Sequence, residues 1–385
     1  MDASTKNLWV IRVAVLGMII GMAISWKVWI NDRLYPMVPV IGPLPSPLDV
    51  VILSGLIVSL IAMAIPARGR WPSMVVASMV VLLVLQDQMR WQPWFYQYSL
   101  MLLPVCWMRG DSAALLRIHR LIMVAIYLWS GLHKFGAGFR NFWEGFIVRD
   151  YPVLHALGAG VPVIEMTLAI MLFFKCTQRI GAVVAIGMHA SLLLLLGPLG
   201  HNVNPVVWPW NVVMIVLCVL LFLIGREPVW KGKLHWATTL LLVPVYLFPA
   251  LSHVGWWPNY LSWHLYAGRN QRVLIFVHPE AAHKVSERYR DRIMPSVSAP
   301  GYLELNFARW AEEDLLVPIV SEDRVYFSLV QGVLKEEFGK SDIMIYRDYP
   351  NWLKEWGWVT YPGTEFERFE KMPVFEKRQM EAGVP

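Results

Sequence analysis

Runs of apolar residues, separated by short polar or proline-rich segments, occupy residues 1–268 of the chain. Several of these runs approach the roughly 20 residues that a helix needs to cross a bilayer. They predict an all-α polytopic membrane bundle of about nine transmembrane helices. The predicted spans are 8–26, 50–66, 72–88, 94–108, 118–135, 160–174, 180–198, 206–225 and 236–251.

The hydrophobic pattern changes near residue 272, where shorter strand-like and amphipathic segments begin. Alternating or β-branched runs favour strands, and apolar positions three to four residues apart favour helices. The predicted strands are 273–277, 303–308 and 342–346, and the predicted helices are 279–293, 310–316 and 322–338. We therefore divide the chain into a transmembrane domain, 1–268, and a small extracytoplasmic α+β C-terminal domain, 269–385.

Composition supports an integral membrane protein surrounded by lipid. Of the 385 residues, 56% are hydrophobic and only 16% are charged, whereas about a quarter of a soluble domain is charged. The net charge is +9 over residues 1–268 (18 Lys and Arg, 9 Asp and Glu) and −3 over the remainder (16 and 19). The positive half is interpreted as a topology signal, so no nucleic-acid partner is predicted. The three cysteines form no CxxC pair and predict neither a disulfide framework nor a zinc site.

The distribution of Lys and Arg among the short loops predicts an orientation. One side of the predicted bundle collects 11 basic residues and the other collects 6. The positive-inside rule places the richer side, with the N-terminus, in the cytoplasm. An odd number of spans then places the C-terminal domain in the periplasm, for a protein of the bacterial inner membrane. Because the outer loops are rich in Trp, His and Pro, we expect any chemistry to face that side.

An ionisable pair, His133 and Lys134, ends the fifth predicted span. Ionisable groups at membrane depth are costly and indicate a functional site, although a lysine that reaches the lipid headgroups is the plain alternative. Glycines flank Lys134, and Trp129, Phe135, Phe139 and Trp143 could form an apolar pocket around it. Burial in that pocket would make Lys134 a usable general base. Aromatic walls would also suit a flat ligand such as a quinone.

Three further polar residues allow two readings each. Glu165 could pair with Arg12 or Arg90 at the start of a helix, or it could orient a catalytic base. His189 could be a satisfied interior donor or a tunable imidazole that faces the bundle. Arg90 could belong to a loop ion pair, or it could neutralise an anionic ligand in an outer cavity. The spacing of the outer histidines matches no compact ligand motif, so no metal is predicted.

The stretch Tyr127-Leu-Trp-Ser-Gly-Leu-His-Lys-Phe, followed by Phe142-Trp143, resembles a motif of the HTTM family. This family comprises the membrane domain of vitamin K-dependent γ-glutamyl carboxylase and its bacterial relatives, and the resemblance covers roughly residues 8–268. It implies that Lys134 deprotonates a reduced quinone, either vitamin K hydroquinone or menaquinol. Reaction with O2 would then give a strong base that removes a γ-proton from a glutamate of a protein substrate, to which CO2 adds. Within this hypothesis His133, Glu144 and His189 are supporting or proton-relay residues, and Glu165 is a further candidate for the catalytic group.

Two alternatives to an enzyme of this kind stay open. The first is a non-catalytic membrane subunit that anchors or assembles an envelope or respiratory complex, with partner subunits bound by its outer loops and C-terminal domain. The second is a quinone-linked redox protein that resembles the DoxX group. The sequence contains no CxxC, haem or flavin motif, which counts against independent electron transfer.

Overall fold

The computed structural model describes residues 1–65, 70–108, 110–224, 235–268, 272–336, 342–349 and 357–362. Five of the basic residues used to predict the orientation lie outside these ranges, namely Arg68, Arg109, Arg226, Lys231 and Lys233. The orientation in the membrane therefore stays a prediction.

Helices fill the N-terminal part of the described chain. In chain order they are α1 (Ala3–Ile24), α2 (Leu48–Met63), α3 (Trp71–Gln86), α4 (Pro93–Leu102), α5 (Val105–Met108), α6 (Ser112–His133), α7 (Ala137–Phe142), α8 (Val161–Phe173), α9 (Gln178–Leu196), α10 (Val207–Cys218), α11 (Trp236–Tyr246) and α12 (Phe248–Leu251). Helices α1 and α6 each begin with a capping aspartate: Asp2 accepts from the backbone N–H of Thr5, and Asp111 accepts from that of Ala114.

Among the described residues, four helical stretches are long and apolar enough to cross a membrane: α1, α6, α9 and Trp236–Val254. A fifth is obtained if α8 and the preceding 3-10 helix, Pro152–Ala159, form one span with a bend of 51°. The stretches α2, α3 and Val207–Leu223 are apolar but shorter. The prediction of an integral membrane protein made of helices is confirmed, whereas the count of nine spans is not.

The fourth predicted span differs most from the observed structure. Residues 94–108 form two short helices, α4 and α5, with Pro104 between them. Proline lacks the N–H that would continue the helical hydrogen bonds, and its ring clashes with the preceding turn. Helix α4 is largely buried inside the bundle, so its apolar character reflects protein packing rather than contact with lipid.

The C-terminal residues form a cap that contains one antiparallel sheet in the order β2-β3-β1-β4-β5. Its strands are β1 (Arg272–Val277), β2 (Ile293–Pro295), β3 (Leu303–Leu305), β4 (Ile343–Tyr349) and β5 (Gly357–Pro362), and its α-helices are α13 (Phe307–Asp314) and α14 (Asp323–Val333). The register sets Ile275 between Leu305 and Ile345, and all three side chains are buried. The polar helix predicted over 279–293 is instead two 3-10 helices, Pro279–Lys284 and Glu287–Arg292.

The cap packs directly on one end of the bundle, which we call the cap end. One hydrophobic core continues from the bundle into the cap. Polar contacts reinforce this packing. Lys27 pairs with Asp314 at 2.6 Å, Gln92 donates to the carbonyl of Pro318 at 3.2 Å, and the backbone N–H of Asn259 donates to Glu322 at 2.9 Å. The cap is therefore held against the loops that connect the helices at this end.

Candidate functional site

Four helix ends meet beneath the cap end and surround a cavity of about 80 Å³. Helices α6 and α9 end here, and α8 and α10 begin here, so their termini bring residues from distant parts of the chain together. The segment from Trp263 to Tyr266 completes the wall. The lining residues are Ile126, Tyr127, Ser130, Lys134, Glu165, Met188, His189, Leu192, Leu196, Val207, Trp210, Asn211, Met214, Trp263, Leu265 and Tyr266.

An ion pair between Lys134 and Glu165 forms one polar side of the cavity. The Nζ atom of Lys134 donates to both carboxylate oxygens of Glu165, at 2.7 and 2.8 Å, and to the hydroxyl of Ser130 at 2.6 Å. The two charged side chains are 8% and 7% exposed. Gly131 permits this approach of α6 to α8, because a Cβ atom there would lie 2.9 Å from the carbonyl oxygen of Pro162.

This geometry bears on two of the sequence-based expectations. Glu165 pairs with Lys134 and not with Arg12 or Arg90; the Arg12 Nε donates to the carbonyl of Ala64 at 3.0 Å. The three N–H groups of an ammonium account for the three hydrogen bonds that Lys134 donates. These contacts suit an ammonium better than a free amine, and the role of Lys134 as a general base stays a prediction.

A second hydrogen-bonded chain, Tyr127–His189–Asn211, forms another polar side of the cavity. The Tyr127 hydroxyl lies 2.8 Å from His189 Nε2, and His189 Nδ1 lies 2.7 Å from Asn211 Oδ1. The Asn211 amide nitrogen donates to the carbonyl of Val207 at 2.8 Å, which orients its oxygen toward the imidazole. Because that oxygen can only accept, His189 carries its proton on Nδ1, and its Nε2 accepts from Tyr127. The network thus fixes the tautomer of a neutral His189.

The aromatic wall of the cavity is not the predicted one. Trp129 stacks on His133 with ring centroids 5.5 Å apart, Trp143 donates to the carbonyl of Leu154 at 2.9 Å, and Phe135 is 39% exposed. None of these three aromatic residues lines the cavity. The aromatic rings that do line it, besides Tyr127, belong to Trp210, Trp263 and Tyr266. Of the four predicted aromatic residues, Phe139 has its ring centroid 6.0 Å from the Nζ atom of Lys134, whereas Trp129, Phe135 and Trp143 lie outside this cavity. Their role as binding residues stays a prediction.

His133 lies beside the cavity, in a separate cluster of imidazoles. Its ring centroid is 3.7 Å from that of His264 and 4.7 Å from that of His253. A hydrogen bond of 3.1 Å joins His264 to the hydroxyl of Ser252. In the part of the chain that the structure describes, no group of three His, Cys, Asp or Glu residues is arranged to hold a metal ion.

Arg90 lies outside the cavity as well, in a buried network at the base of the cap. It is fully buried and donates to the carbonyls of Val28 and Leu83, at 2.9 and 3.1 Å, and to the side chain of Asn31 at 3.1 Å. Burial lowers the pKa of Arg90 to about 10, and nearby Asp87 acts in the opposite direction. Arg90 therefore stays charged at neutral pH and orders the loops below the cap. Arg90 does not line the cavity described above, and its action on an anionic ligand in an outer cavity stays a prediction.

The size of the cavity restricts what it can hold. An engineered cavity of about 150 Å³ holds one benzene molecule, and this cavity has about half that volume. A naphthoquinone ring is larger than benzene, so the predicted menaquinol or vitamin K hydroquinone would not fit wholly inside the cavity in this conformation, and its binding stays a prediction. In this conformation the site suits water or a molecule of a few non-hydrogen atoms.

The membrane-spanning helices and the polar cavity at their ends define an integral membrane protein with ionisable groups inside its bundle. Comparison with known families then finds that residues 112–202 match the family described as "Methylamine utilisation protein MauE". The matched segment runs from the start of α6 to just beyond α9 and contains Tyr127, Lys134, Glu165 and His189. Searches of curated proteins and of solved structures give no match.

This result corrects the sequence-based resemblance. The family that matches is a membrane-protein family of methylamine utilisation, and nothing found supports the HTTM family. The motif around Lys134 was short, and the identity of a few Gly, Lys and aromatic positions at a helix end does not distinguish between families of membrane bundles. The carboxylase mechanism inferred from that resemblance therefore loses its basis.

Proposed function

We propose that the protein is a non-catalytic integral membrane subunit that anchors or assembles a larger envelope complex. The observation that carries the proposal is the match of residues 112–202 to a family named for methylamine utilisation. The name of the matched family refers to a methylamine utilisation system, and a membrane subunit of such a system would bring soluble partners to the bilayer. The matched helices would supply the anchor, and the cap would supply the contact surface.

The bundle supports this role better than it supports catalysis by a free lysine. The two charged side chains in the cavity neutralise each other, and a third polar group, Ser130, completes the hydrogen bonds of the ammonium. The ion pair joins α6 to α8, and both helices lie in the matched segment. A buried pair of this kind fixes helix positions, provided that both partners are present.

The cap carries apolar side chains suited to a protein partner. Met294, on the short edge strand β2, is 58% exposed, and Val297 just beyond it is 94% exposed. Two exposed apolar side chains so close together at the edge of a small domain offer a small apolar contact area for a partner. We propose that this edge, Met294–Val297, contacts the partner subunit on the periplasmic side.

Affinity purification of the full-length chain from its native membrane in a mild detergent tests the proposal. We expect stoichiometric partner proteins to co-purify, and Met294→Lys with Val297→Lys to reduce their yield at least tenfold. Glu287→Lys, a change at a side chain that is 78% exposed, is the matched control and should retain them. Purification of the chain alone at every detergent tested would contradict the assembly role.

The remaining expectations are separate questions. Cysteine introduced at Val297 should react with a membrane-impermeant maleimide in intact spheroplasts if the cap faces the periplasm, and labelling only after lysis would reverse the orientation.

Binding of a reduced quinone also stays a prediction. Menaquinol that copurifies with the chain, and is lost from a variant with a filled cavity, would support such binding.

A further inference from the structure

The Lys134–Glu165 ion pair and the Tyr127–His189–Asn211 chain line the same cavity. The ion pair comes from α6 and α8, and the Tyr127–His189–Asn211 chain comes from α6, α9 and α10. No hydrogen bond joins the pair to the chain in the described structure, so the cavity itself separates them. Ionisable side chains inside a membrane bundle commonly mark ion pathways and proton relays. The relation between these two groups is therefore worth pursuing apart from any partner protein.

The cavity also presents hydrogen-bonding capacity that the protein leaves open. The side chain of Trp263 lines it and is only 2% exposed, and its indole N–H meets no acceptor within the described ranges. Glu165 also lines the cavity. A carboxylate has about four acceptor positions, and Lys134 occupies one on each oxygen of Glu165. A ligand that both accepts from an indole and donates to a carboxylate fits this arrangement.

Water is the molecule that fits both the chemistry and the volume. A polar cavity holds a water molecule when it offers about 10–15 Å³ and two to four polar partners. The volume of about 80 Å³ is several times that requirement. Much of the remaining lining is apolar and includes Leu192, Leu196 and Met214, so the waters would be directed toward the polar sides.

We propose that this cavity is a hydrated proton-exchange site, in which water connects the Lys134–Glu165 pair to the Tyr127–His189–Asn211 chain. A hydronium ion, formed when a proton from the solvent enters the cavity water, gives its proton to the Tyr127 oxygen and becomes neutral water, while the hydroxyl proton of Tyr127 moves to His189 Nε2. The imidazolium that forms keeps its proton on Nδ1, where it is hydrogen-bonded to Asn211 Oδ1. The reverse transfer restores the neutral imidazole, and Glu165 can hold the returning proton. Each step moves one proton and breaks no bond between non-hydrogen atoms.

The segment that closes the cavity is held in a constrained conformation. Trp263 and Tyr266 have φ angles of 58° and 57°, in the left-handed region that bulky residues rarely adopt. The hydroxyl of Tyr266 accepts from the Asn204 side chain at 2.8 Å, and Gly268 lies so close to Gly138 that no Cβ could be accommodated. These contacts hold the segment that carries Trp263, whose side chain lines the cavity.

Hydroxyl-radical footprinting of the purified full-length chain tests for water in the cavity. Met214 lines the cavity and is 2% exposed, whereas Met18 is fully buried in α1 and does not line it. Radicals formed on bound water should oxidise Met214 at least tenfold faster than Met18. Leu192→Trp or Leu196→Phe, which fill the cavity, should lower the Met214 rate toward that of Met18. Equal rates for the two methionines in the unmodified chain would overturn the proposal.

Infrared spectroscopy after transfer into D2O tests proton exchange. The C–O–H mode of Tyr127, identified as the difference from Tyr127→Phe, should shift within seconds in the folded unmodified chain. Whichever cavity-filling variant folds should slow this shift at least tenfold. Oxidised Met214 combined with exchange over hours would mean enclosed water without proton transfer, and would also overturn the proposal. Both measurements use the isolated chain, so their outcome is independent of partner capture.

Discussion

Removal of Glu165 is the sharpest test of the energetics inside the bundle. In Glu165→Met the Lys134 ammonium keeps the hydroxyl of Ser130 but loses two hydrogen bonds of 2.7 and 2.8 Å and its only counter-charge among the described residues. The side chain of Lys134 is 8% exposed, so solvent replaces little of what is lost. The variant should therefore be much less stable than the unmodified protein.

The magnitude follows from two independent considerations. Two unit charges about 4 Å apart at an effective dielectric constant of about 20 attract by about 4 kcal/mol. Measurements on other proteins show that removal of one partner of a buried ion pair costs about 3–5 kcal/mol. We expect Glu165→Met to lower the free energy of unfolding by about 3–5 kcal/mol, measured by steric trapping in bicelles.

The double variant supplies the control. Replacement of both partners by apolar residues removes the uncompensated charge, and such replacements are often neutral or stabilising. Lys134→Met with Glu165→Met should therefore recover most of the stability lost by Glu165→Met alone. A loss below about 1 kcal/mol in the single variant, or equal losses in the single and double variants, would refute the account of a tightly coupled ion pair.

Three further predictions concern the cap, the closing segment and the hydrogen-bonded chain. Asp87→Ala removes the carboxylate that pairs with the buried guanidinium of Arg33. It should lower the free energy of unfolding by about 3–5 kcal/mol and expose the cap to limited proteolysis. Glu313→Ala, at an exposed ion pair, should lower it by at most about 1 kcal/mol. Gly268→Ala meets a carbonyl oxygen at 2.3 Å at a φ of +64° and should lower the melting temperature well below that of Gly301→Ala, where φ is +89° but the space is open. Tyr127→Phe removes the donor to a buried imidazole nitrogen and should cost about 1–3 kcal/mol in chemical unfolding; a neutral outcome would mean that this hydrogen bond is not formed.

The sequence predicted the class of fold because hydrophobic length is a local property. The long apolar helices α1, α6 and α9 follow from runs of residues that exclude charge. The number of spans did not follow, since an apolar helix buried in protein, such as α4, has the same composition as one exposed to lipid. Strand β2, with only three residues and a proline, was too short to give a periodic signal.

The site was only half predictable. Lys134, Glu165 and His189 stood out because each is ionisable within an apolar helix or at its end. Tyr127, Asn211 and Trp263 were missed as site residues, since each is a residue type common in membrane helices or interfacial loops, and their role depends on contacts between distant segments. The pairing of Lys134 with Glu165 was equally non-local. It places the lysine in an ion pair, whereas the sequence predicted a free amine.

The central claim, that this chain assembles a complex at the membrane, is tested most directly by quantitative co-purification from native membranes. The amounts of each protein that elutes with the tagged full-length chain would be determined by mass spectrometry with labelled peptide standards. We expect at least one partner protein to elute at a fixed molar ratio. The double variant Met294→Lys, Val297→Lys should lose this partner, and Glu287→Lys should retain it. The tagged chain eluting with no protein at a fixed ratio would contradict it.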